Sequence, residues 1–487
     1  MEDILLQKSG RSHVRDEKSV AELKARVKTF TTDAGLTWGR AHNVSLLTSL
    51  GCAGIMCLCP TLVIFVWISM EHFGGSLFAA IAGVAEDGVL DFCTKYGPEL
   101  SIQACMGYTL WVSFQAALYQ FLPSKLSTGQ LTPAGHLLQY YTNGFSAWIV
   151  THVAYVAASY YGYINPAILA ENWAGLLVAA NVYGFLLSGF AWAKAHIAPT
   201  HVEDRKFSGS WLYDMYMGIE FNPRFGKYWD FKLFHNGRPG IVAWTLIDIS
   251  FACHQYQLHG TVSNSMLIVN LFHMIYVVDF FYHEDWYLRT IDICHDHFGF
   301  YLAWGSMVWL PAMYTLQTQY LARYPVHLSN PVALLILCTG LSGYFIFRAV
   351  NNQKDLARKT KGECMIWGKK AECIRAKYTT SDGKEHQTLL LASGRSILFI
   401  IQVKMLIEIG WWGVSRHANY LGDLILSYSM CAVCGFSNII PWTYAIFMTI
   451  LLLHRADRDE ERMVAKYGKV WKLYCDKVAY KLIPGVY

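Results

Sequence analysis

Charge is scarce in this sequence. Only 15% of its 487 residues are Asp, Glu, Lys or Arg while 54% are hydrophobic, so a water-soluble globule built from it would expose far too much apolar surface. There is no G-x-G-x-x-G and no G-x-x-x-x-G-K-[ST], so any dinucleotide must be held by side chains on helices rather than by a glycine-rich loop. Neither G-x-S-x-G nor H-E-x-x-H occurs, which removes the usual serine-hydrolase and zinc-protease readings. The 13 cysteines are scattered. Cys431 and Cys434 form a C-x-x-C inside an apolar run without a second pair nearby, so neither a disulfide framework nor a metal site is expected. A cleaved signal peptide is not expected either, because the first 45 residues are polar and an early spanning helix serves as an uncleaved signal. No fixed-period repeat stands out.

What the chain has is long apolar stretches. They run from Leu46 to Met70, Gln103 to Phe121, Phe145 to Tyr163, Trp173 to Trp192, Ile241 to Phe251, Met266 to Tyr282, Phe298 to Ala322, Pro331 to Phe347, Tyr420 to Phe436 and Ile439 to Leu453. Several are long enough for a hydrocarbon layer about 30 Å thick, whereas the Ile241 stretch and the last two are short for it. The expected fold is an all-α polytopic membrane protein of about ten transmembrane helices. Many of its 17 Trp and 30 Tyr lie near the stretch ends, where amphipathic rings favour the headgroup region. Lys8, Arg11, Arg15, Lys18, Lys24, Arg26, Lys28 and Arg40 precede the first stretch and more Lys and Arg follow His454. The positive-inside rule therefore places both termini in the cytoplasm, which requires an even number of spans. Acids are mixed into both tails, which argues against a nucleic-acid partner. Three regions follow: a polar basic tail over 1–45, a transmembrane bundle over 46–350, and a C-terminal region over 351–487.

Charges that lipid should forbid mark the functional candidates. Between two apolar stretches lie Asp279, His283, Glu284, Asp285, Arg289, Asp292, His295, Asp296 and His297, a group that must face a cavity or one another unless it is a simple interfacial loop. Adjacent His295, Asp296 and His297 point about 100° apart on a helix and do not converge on one metal ion. Tyr276 lies three residues before Asp279, on nearly the same helical face, where its phenol either packs in the core or hydrogen-bonds a ligand. Lys354 and Arg358 stand one helical turn apart beyond an apolar stretch, and Arg455, Asp459, Arg462 and Lys466 repeat at roughly helical spacing after the last one. Both sets suit one anion, and both also suit a positive-inside anchor. Two long polar connections, 194–240 and 351–394, should face the cytoplasm or a polar cavity, with YTTSDGKEHQTL in the second reading as a small turn or hairpin.

The runs GSWLYDMYMGIEFNPR at Gly209 to Arg224 and LLLHRADRDEERMVAKYG at Leu451 to Gly468 resemble the two signatures of the sterol C14/Δ7/Δ24(28) reductase family, in the expected order. FKLFHNGRPGIVAWTLI, DFFYHEDWYLRTIDICHDHFGFYLAWG, NNQKDLAR, WWGVSRHANYLGDL and the ending YKLIPGVY extend the similarity over most of the chain after Trp38. TIDICHDHFGFYLAWG and the loop with YTTSDGKEH look most like the Δ7 branch, whose substrate is 7-dehydrocholesterol. The resemblance implies an endoplasmic reticulum membrane enzyme with a cytoplasmic-side NADPH pocket and a membrane-facing sterol pocket. Its partners would be bilayer sterol, membrane lipid and other sterol-biosynthesis enzymes such as the Δ8-Δ7 sterol isomerase. It further implies NADPH contacts at Lys354, Arg358, Leu391, Trp412, Asn419, Tyr420, Asp459, Met463, Val464, Ala465, Lys466, Tyr467 and Tyr474. Tyr276 would sit where sterol and nicotinamide meet, with Asp459 and Tyr474 helping to position the reactive end of the cofactor.

The chain departs from the family pattern twice. Met463 stands where the second signature usually has cysteine, which matters little if the backbone makes the contact. Arg395 to Gly410, RSILFIIQVKMLIEIG, interrupts a run that otherwise passes almost directly from S-G into W-G-x-x-R-H, and it separates Leu391 from Trp412.

For a conjugated 5,7-diene, a proton delivered to C8 leaves a cation at C7 delocalised toward C5, and hydride then closes C7. That chemistry needs an acid on one face of the ring, an anchored nicotinamide across the reacting bond, and exclusion of water. Tyr276 is the candidate donor, with Glu284 or an acid near Asp292 as a relay behind it, because a phenol of pKa about 10 is a weak acid for an alkene. C14 reduction, and sterol binding without catalysis, are the alternatives. The 395–410 interruption reads as an intron wrongly left in the deduced coding sequence, with a true lineage-specific insertion as the alternative. Transcript sequencing across the junction is expected to lack these codons, and finding them would make the insertion real.

Overall fold

The computed structural model describes residues 43–132, 134–379, 385–392 and 410–486. The basic tail up to Arg40 and nearly all of the 395–410 interruption lie outside the described residues. Two compact units are formed, a larger one of residues 38–337 and 430–444, and a smaller one that takes in 338–429 and 445–487.

Each of the ten apolar stretches is helical over most of its length. Four helices are long and apolar enough to cross a membrane: Leu46–His72, Trp173–Ile197, Asn264–Tyr282 and Asn330–Lys359. Serines start the helices Leu46–His72, Ile102–Phe121 and Asn264–Tyr282, because a hydroxyl outside the first turn can accept from an otherwise orphaned N–H. Ser45 accepts from Thr48 N at 3.1 Å, Ser101 from Ala104 N at 3.2 Å and Ser263 from Met266 N at 3.3 Å. The Leu46–His72 helix buries Val63, Val66, Ile68 and Met70 and leaves Leu46, Leu47, Leu50 and Leu58 exposed, as suits a helix with one side in lipid. The weak stretch at Ile241 to Phe251 belongs to a full helix, Pro239–His259, with Pro at its start and Gly260 in the left-handed region at its end.

Two expectations change. The chain is mostly helical but not all-α: four two-stranded antiparallel ribbons are present among the described residues. The largest pair Lys125–Leu131 with Leu137–Thr142 and Cys373–Thr379 with Glu385–Leu391. The second ribbon flanks the expected hairpin turn, whose residues 380–384 lie outside the described residues; the first, KLSTGQL with LLQYYT, carried no apolar alternation to announce it. The stretch from Phe298 to Ala322 is also not one helix. It runs through Phe300–Trp304, a π turn at Gly305–Trp309, Leu310–Met313 and, after a break, Leu316–Arg323. Pro311 removes a backbone donor there, and the buried polar side chains of the last piece bond to other segments. Gln317 donates to Pro441 O at 2.9 Å, Thr318 to Asp248 Oδ1 at 2.8 Å, and Gln319 accepts from Trp173 Nε1 at 3.0 Å.

Several charges of the larger unit are buried on carboxylate, amide or carbonyl partners. Arg238, fully buried, pairs with Glu284 Oε1 and donates to Asn143 Oδ1 at 3.0 Å. Glu284 Oε2 accepts from Gly144 N at 2.8 Å, and Asn143 Nδ2 donates to Tyr119 O at 3.1 Å. Lys232 donates to Ile293 O at 2.8 Å and Asp296 O at 2.7 Å, Arg224 pairs with Asp230 at 3.0 Å, and Lys194 with Glu220 at 3.0 Å. Buried ions persist only when paired and hydrogen-bonded in this way. The first signature contributes a close contact as well as charges: a Cβ on Gly218 would stand 2.3 Å from the Phe298 carbonyl carbon, and one on Gly299 2.1 Å from Gly218 N.

Glu284→Ala strands a buried guanidinium, and the expected cost is about 3–5 kcal/mol, read as a lowered midpoint of thermal unfolding in detergent. Replacing Arg238 and Glu284 together with methionine should recover much of the loss. A single variant as stable as the parent would show that the pair does not hold the fold.

Candidate functional site

In the smaller unit the Asn330–Lys359 helix carries Lys354 and Arg358 one turn apart near its C-terminal end, so both cations project from one face. Lys354 lies over the indole of Trp412, 4.3 Å from the ring centroid, within electrostatic reach of Arg358, Asp459 and Arg462. Trp412 is fixed by its Nε1 donating to Val350 O at 2.8 Å, and Trp411 N donates to Gln353 Oε1 at 3.1 Å. Leu391 and Trp412 share one buried cluster with Val350, Ala357, Ile366 and Ala418. The chain thus brings them together although the interruption separates them in sequence.

A second arm comes from the Thr443–Tyr467 and Lys469–Lys477 helices. Asp459 Oδ1 accepts from Arg462 Nη2 at 2.5 Å. Val464 and Tyr474 are buried with Ala392, Trp471 and Val478, and Met463 and Tyr467 pack against that cluster, while Ala465 and Lys466 are exposed. Between the arms, Asn419 Nδ2 donates to Asn351 Oδ1 at 3.4 Å, and the Tyr420 ring stacks on His417 at 4.9 Å. Every residue assigned to the cofactor from the sequence therefore belongs to this unit.

Asp459 and His417 carry the electrostatic signature of the site. Burial pushes the Asp459 carboxyl up, but Arg462, Lys354 and His417 outweigh it and hold it below its ordinary value. Burial drives His417 down to about 4, against the pull of Asp459. The residues also fit a phosphate-bearing dinucleotide. Lys354, Arg358 and Arg462 gather positive charge that an anion would relieve. Ser415 Oγ, His417 Nε2 and Asn419 Oδ1 are buried without a hydrogen-bonding partner among the described residues.

Tyr276 and Glu284 belong to the larger unit. Tyr276 packs on the cluster of Ile241, Val242, Trp244, Val277 and Phe281, with its ring 5.6 Å from that of Trp244. Glu284 is committed elsewhere, its oxygens taken by Arg238 and Gly144 N. Sequence reasoning missed the buried chain beside Tyr276, in which Asp248 Oδ2 meets His273 Nδ1 at 2.9 Å and Asp248 Oδ1 accepts from Thr318. An acid inside the Ile241 to Phe251 stretch was the available signal. It also missed Arg416, His417 and Glu460, which lie inside quoted runs yet follow no ligand pattern of their own.

Residues 46–487 match the family described as "Ergosterol biosynthesis ERG4/ERG24 family". The chain belongs to that family. This is the sterol reductase family that the two signatures resembled, so the protein is a membrane sterol reductase acting on sterol C=C bonds. It is similar to 7-dehydrocholesterol reductase of Xenopus laevis, 46% identical over 92% of this chain and 94% of that protein. It is also similar to 7-dehydrocholesterol reductase of Danio rerio, 44% identical over 92% and 94%, and to Delta(14)-sterol reductase of Dictyostelium discoideum, 34% identical over 88% of each.

A neutral buried His417 gives this family member a pH dependence of known sign. Below the unfolded value of 6.5 the unfolded chain takes up a proton that the folded site refuses, so stability drains as pH falls from 6.5 toward 4. Asp459, with its lowered folded value, adds a further loss at still lower pH. His417→Asn should flatten the decline of the unfolding midpoint across that first window. An equal slope in variant and parent would contradict a neutral buried imidazole.

Proposed function

We propose that this sterol reductase reduces the C7–C8 double bond of 7-dehydrocholesterol to give cholesterol, with NADPH as the reductant. The observation that carries the reading is the identity of 46% and 44% to two 7-dehydrocholesterol reductases, against 34% to the Delta(14)-sterol reductases of Dictyostelium discoideum and Methylotuvimicrobium alcaliphilum. C14 reduction stands second, because those relatives also cover 88% and 89% of the chain.

In this reading the cofactor is held by Lys354, Arg358, Leu391, Trp412, Asn419, Tyr420, Asp459, the run Met463 to Tyr467, and Tyr474. Lys354 and Arg358 serve its phosphates as cations one turn apart, and Trp412 keeps the Lys354 ammonium in place through its ring face. Asp459 and Tyr474 position its reactive end, and bound NADPH supplies the hydride. Tyr276 delivers the proton at C8, and the aromatic cluster around it keeps water from the developing C7 cation. A phenol needs a partner for that task. Glu284, bound to Arg238, is left to hold the fold. The sterol enters from the bilayer of the endoplasmic reticulum, both termini lie in the cytoplasm, and about ten helices cross the membrane. The Δ8-Δ7 sterol isomerase, which makes a Δ7 sterol, is the natural neighbouring enzyme.

Yeast microsomes expressing the chain, beside a version lacking Arg395 to Gly410, should convert 7-dehydrocholesterol and leave a Δ14 sterol untouched, with products identified by mass spectrometry. Product from the Δ14 sterol alone would move the chain to C14 reduction. Sterol binding without product from either version would make it a non-catalytic binder. Tyr276→Phe should abolish turnover while NADPH still binds, and full activity in that variant would remove Tyr276 from the acid role.

A further inference from the structure

Arg416 is a buried cation whose partners tie the two arms of the smaller unit together. Its Nη1 donates to Val478 O at 2.7 Å and Ala479 O at 3.0 Å, and its Nη2 to Glu460 Oε2 at 3.2 Å. Glu460 Oε1 accepts from Trp471 Nε1 at 3.0 Å and from Cys475 Sγ at 3.4 Å. The backbone reinforces the junction, with Arg416 N donating to Tyr480 O at 3.0 Å and His417 N to Lys481 O at 2.9 Å. Lys481 in turn reaches Asp457 Oδ1 at 2.7 Å. Arg416 and His417 are thereby bonded to 478–481, and through Glu460 and Asp457 to the helix that carries Asp459.

The neighbours of this hub are the residues assigned to the cofactor. On one side the His417 ring lies flat on Tyr420, and Asn419 is three residues along from Arg416. On the other, Glu460 follows Asp459 directly, and Trp471 packs against Tyr474 with ring centroids 4.9 Å apart. Arg416 is 7% exposed, its two terminal nitrogens are spent on Glu460 and on backbone carbonyls, and its Nε, without a hydrogen-bonding partner among the described residues, is buried as well. It therefore acts through its neighbours. A guanidinium can serve two carbonyls and a carboxylate at once because its donors are fixed in a planar fork, which an ammonium cannot reproduce.

We infer that the Arg416–Glu460 pair is a clasp that closes the 478–481 segment onto the cofactor arms and sets the affinity for the dinucleotide, with Arg416 and Glu460 as positioning residues. The inference rests on the cofactor reading given above. Closing the clasp holds Asn419 and Tyr420 in register with Asp459 and Tyr474 before the cofactor arrives, so an open clasp charges the cost of ordering both arms to binding.

The full-length enzyme in detergent, with Arg416→Lys, Glu460→Gln and the double variant beside it, separates this role from general support of the fold. NADPH binding by fluorescence and the KM values for NADPH and sterol are the readouts. Each single variant should weaken NADPH binding about tenfold, the loss of one charge-assisted contact. The sterol KM should stay unchanged, kcat should fall less than the NADPH KM rises, and the double variant should be no worse than the poorer single one. A lower kcat with both KM values unmoved, or additive losses, would overturn the clasp. If Arg416→Lys fails to fold, Trp471→Phe, which deletes one N–H to Glu460, should move the NADPH KM in the same direction, and an unmoved KM there also overturns it. Parent enzyme that binds no NADPH defeats the functional reading and the clasp together, whereas parent binding with unmoved variants defeats the clasp alone.

Discussion

The pairing of Arg238 with Glu284 is the contact on which the larger unit depends. It joins the start of the Pro239–His259 helix to the segment after Asn264–Tyr282, and through Asn143 and Gly144 to the start of a third helix. Aromatic faces of Tyr119 and Phe281 complete the surroundings of the guanidinium. In a medium with no water to solvate a stray charge, each of these partners is obligatory rather than optional. The same solution recurs at Lys232, Arg224 and Lys194, each buried on carbonyl or carboxylate oxygens. The polar run from Lys194 to Gly240 therefore contributes buried, paired charges as well as exposed residues such as Val202 and Trp211.

The smaller unit solves the opposite problem. It sets like charges close together, with Lys354 against a ring face and within electrostatic reach of Arg358 and Arg462. The Asp459 carboxylate faces this charge and is held below its ordinary value by it. Cations held this close repel one another, and an anion placed among them relieves that repulsion.

How much of this was legible depends on which physical signal a residue emits. Apolar stretches announce helices, and all ten did so, although length and hydropathy alone single out four. Lys354 and Arg358 were legible because spacing on a helix fixes a shared face. Leu391 and Trp412 were legible only through resemblance, since no local pattern says that a strand end and a short helix beyond the interruption will share a cluster. The break at Tyr314 and Thr315 was hidden by hydropathy averaging: Gln317, Thr318 and Gln319 are polar, yet they are buried by bonds to Pro441, Asp248 and Trp173, which a window along the chain cannot see. Arg416 was invisible for the same reason, its partners lying 44 and 62 positions away.

Arg238 and Glu284 are 46 positions apart, and a ribosome makes the guanidinium well before its carboxylate exists. During that interval neither the lipid nor the partly made bundle can accept Arg238 in its final place. Each of the two charges is costly to bury until the other is in place. A change that weakens this pair would be felt first by the quality control of the membrane in which the chain is made, as fewer surviving molecules, before it was felt in the rate at which any survivor turns over sterol.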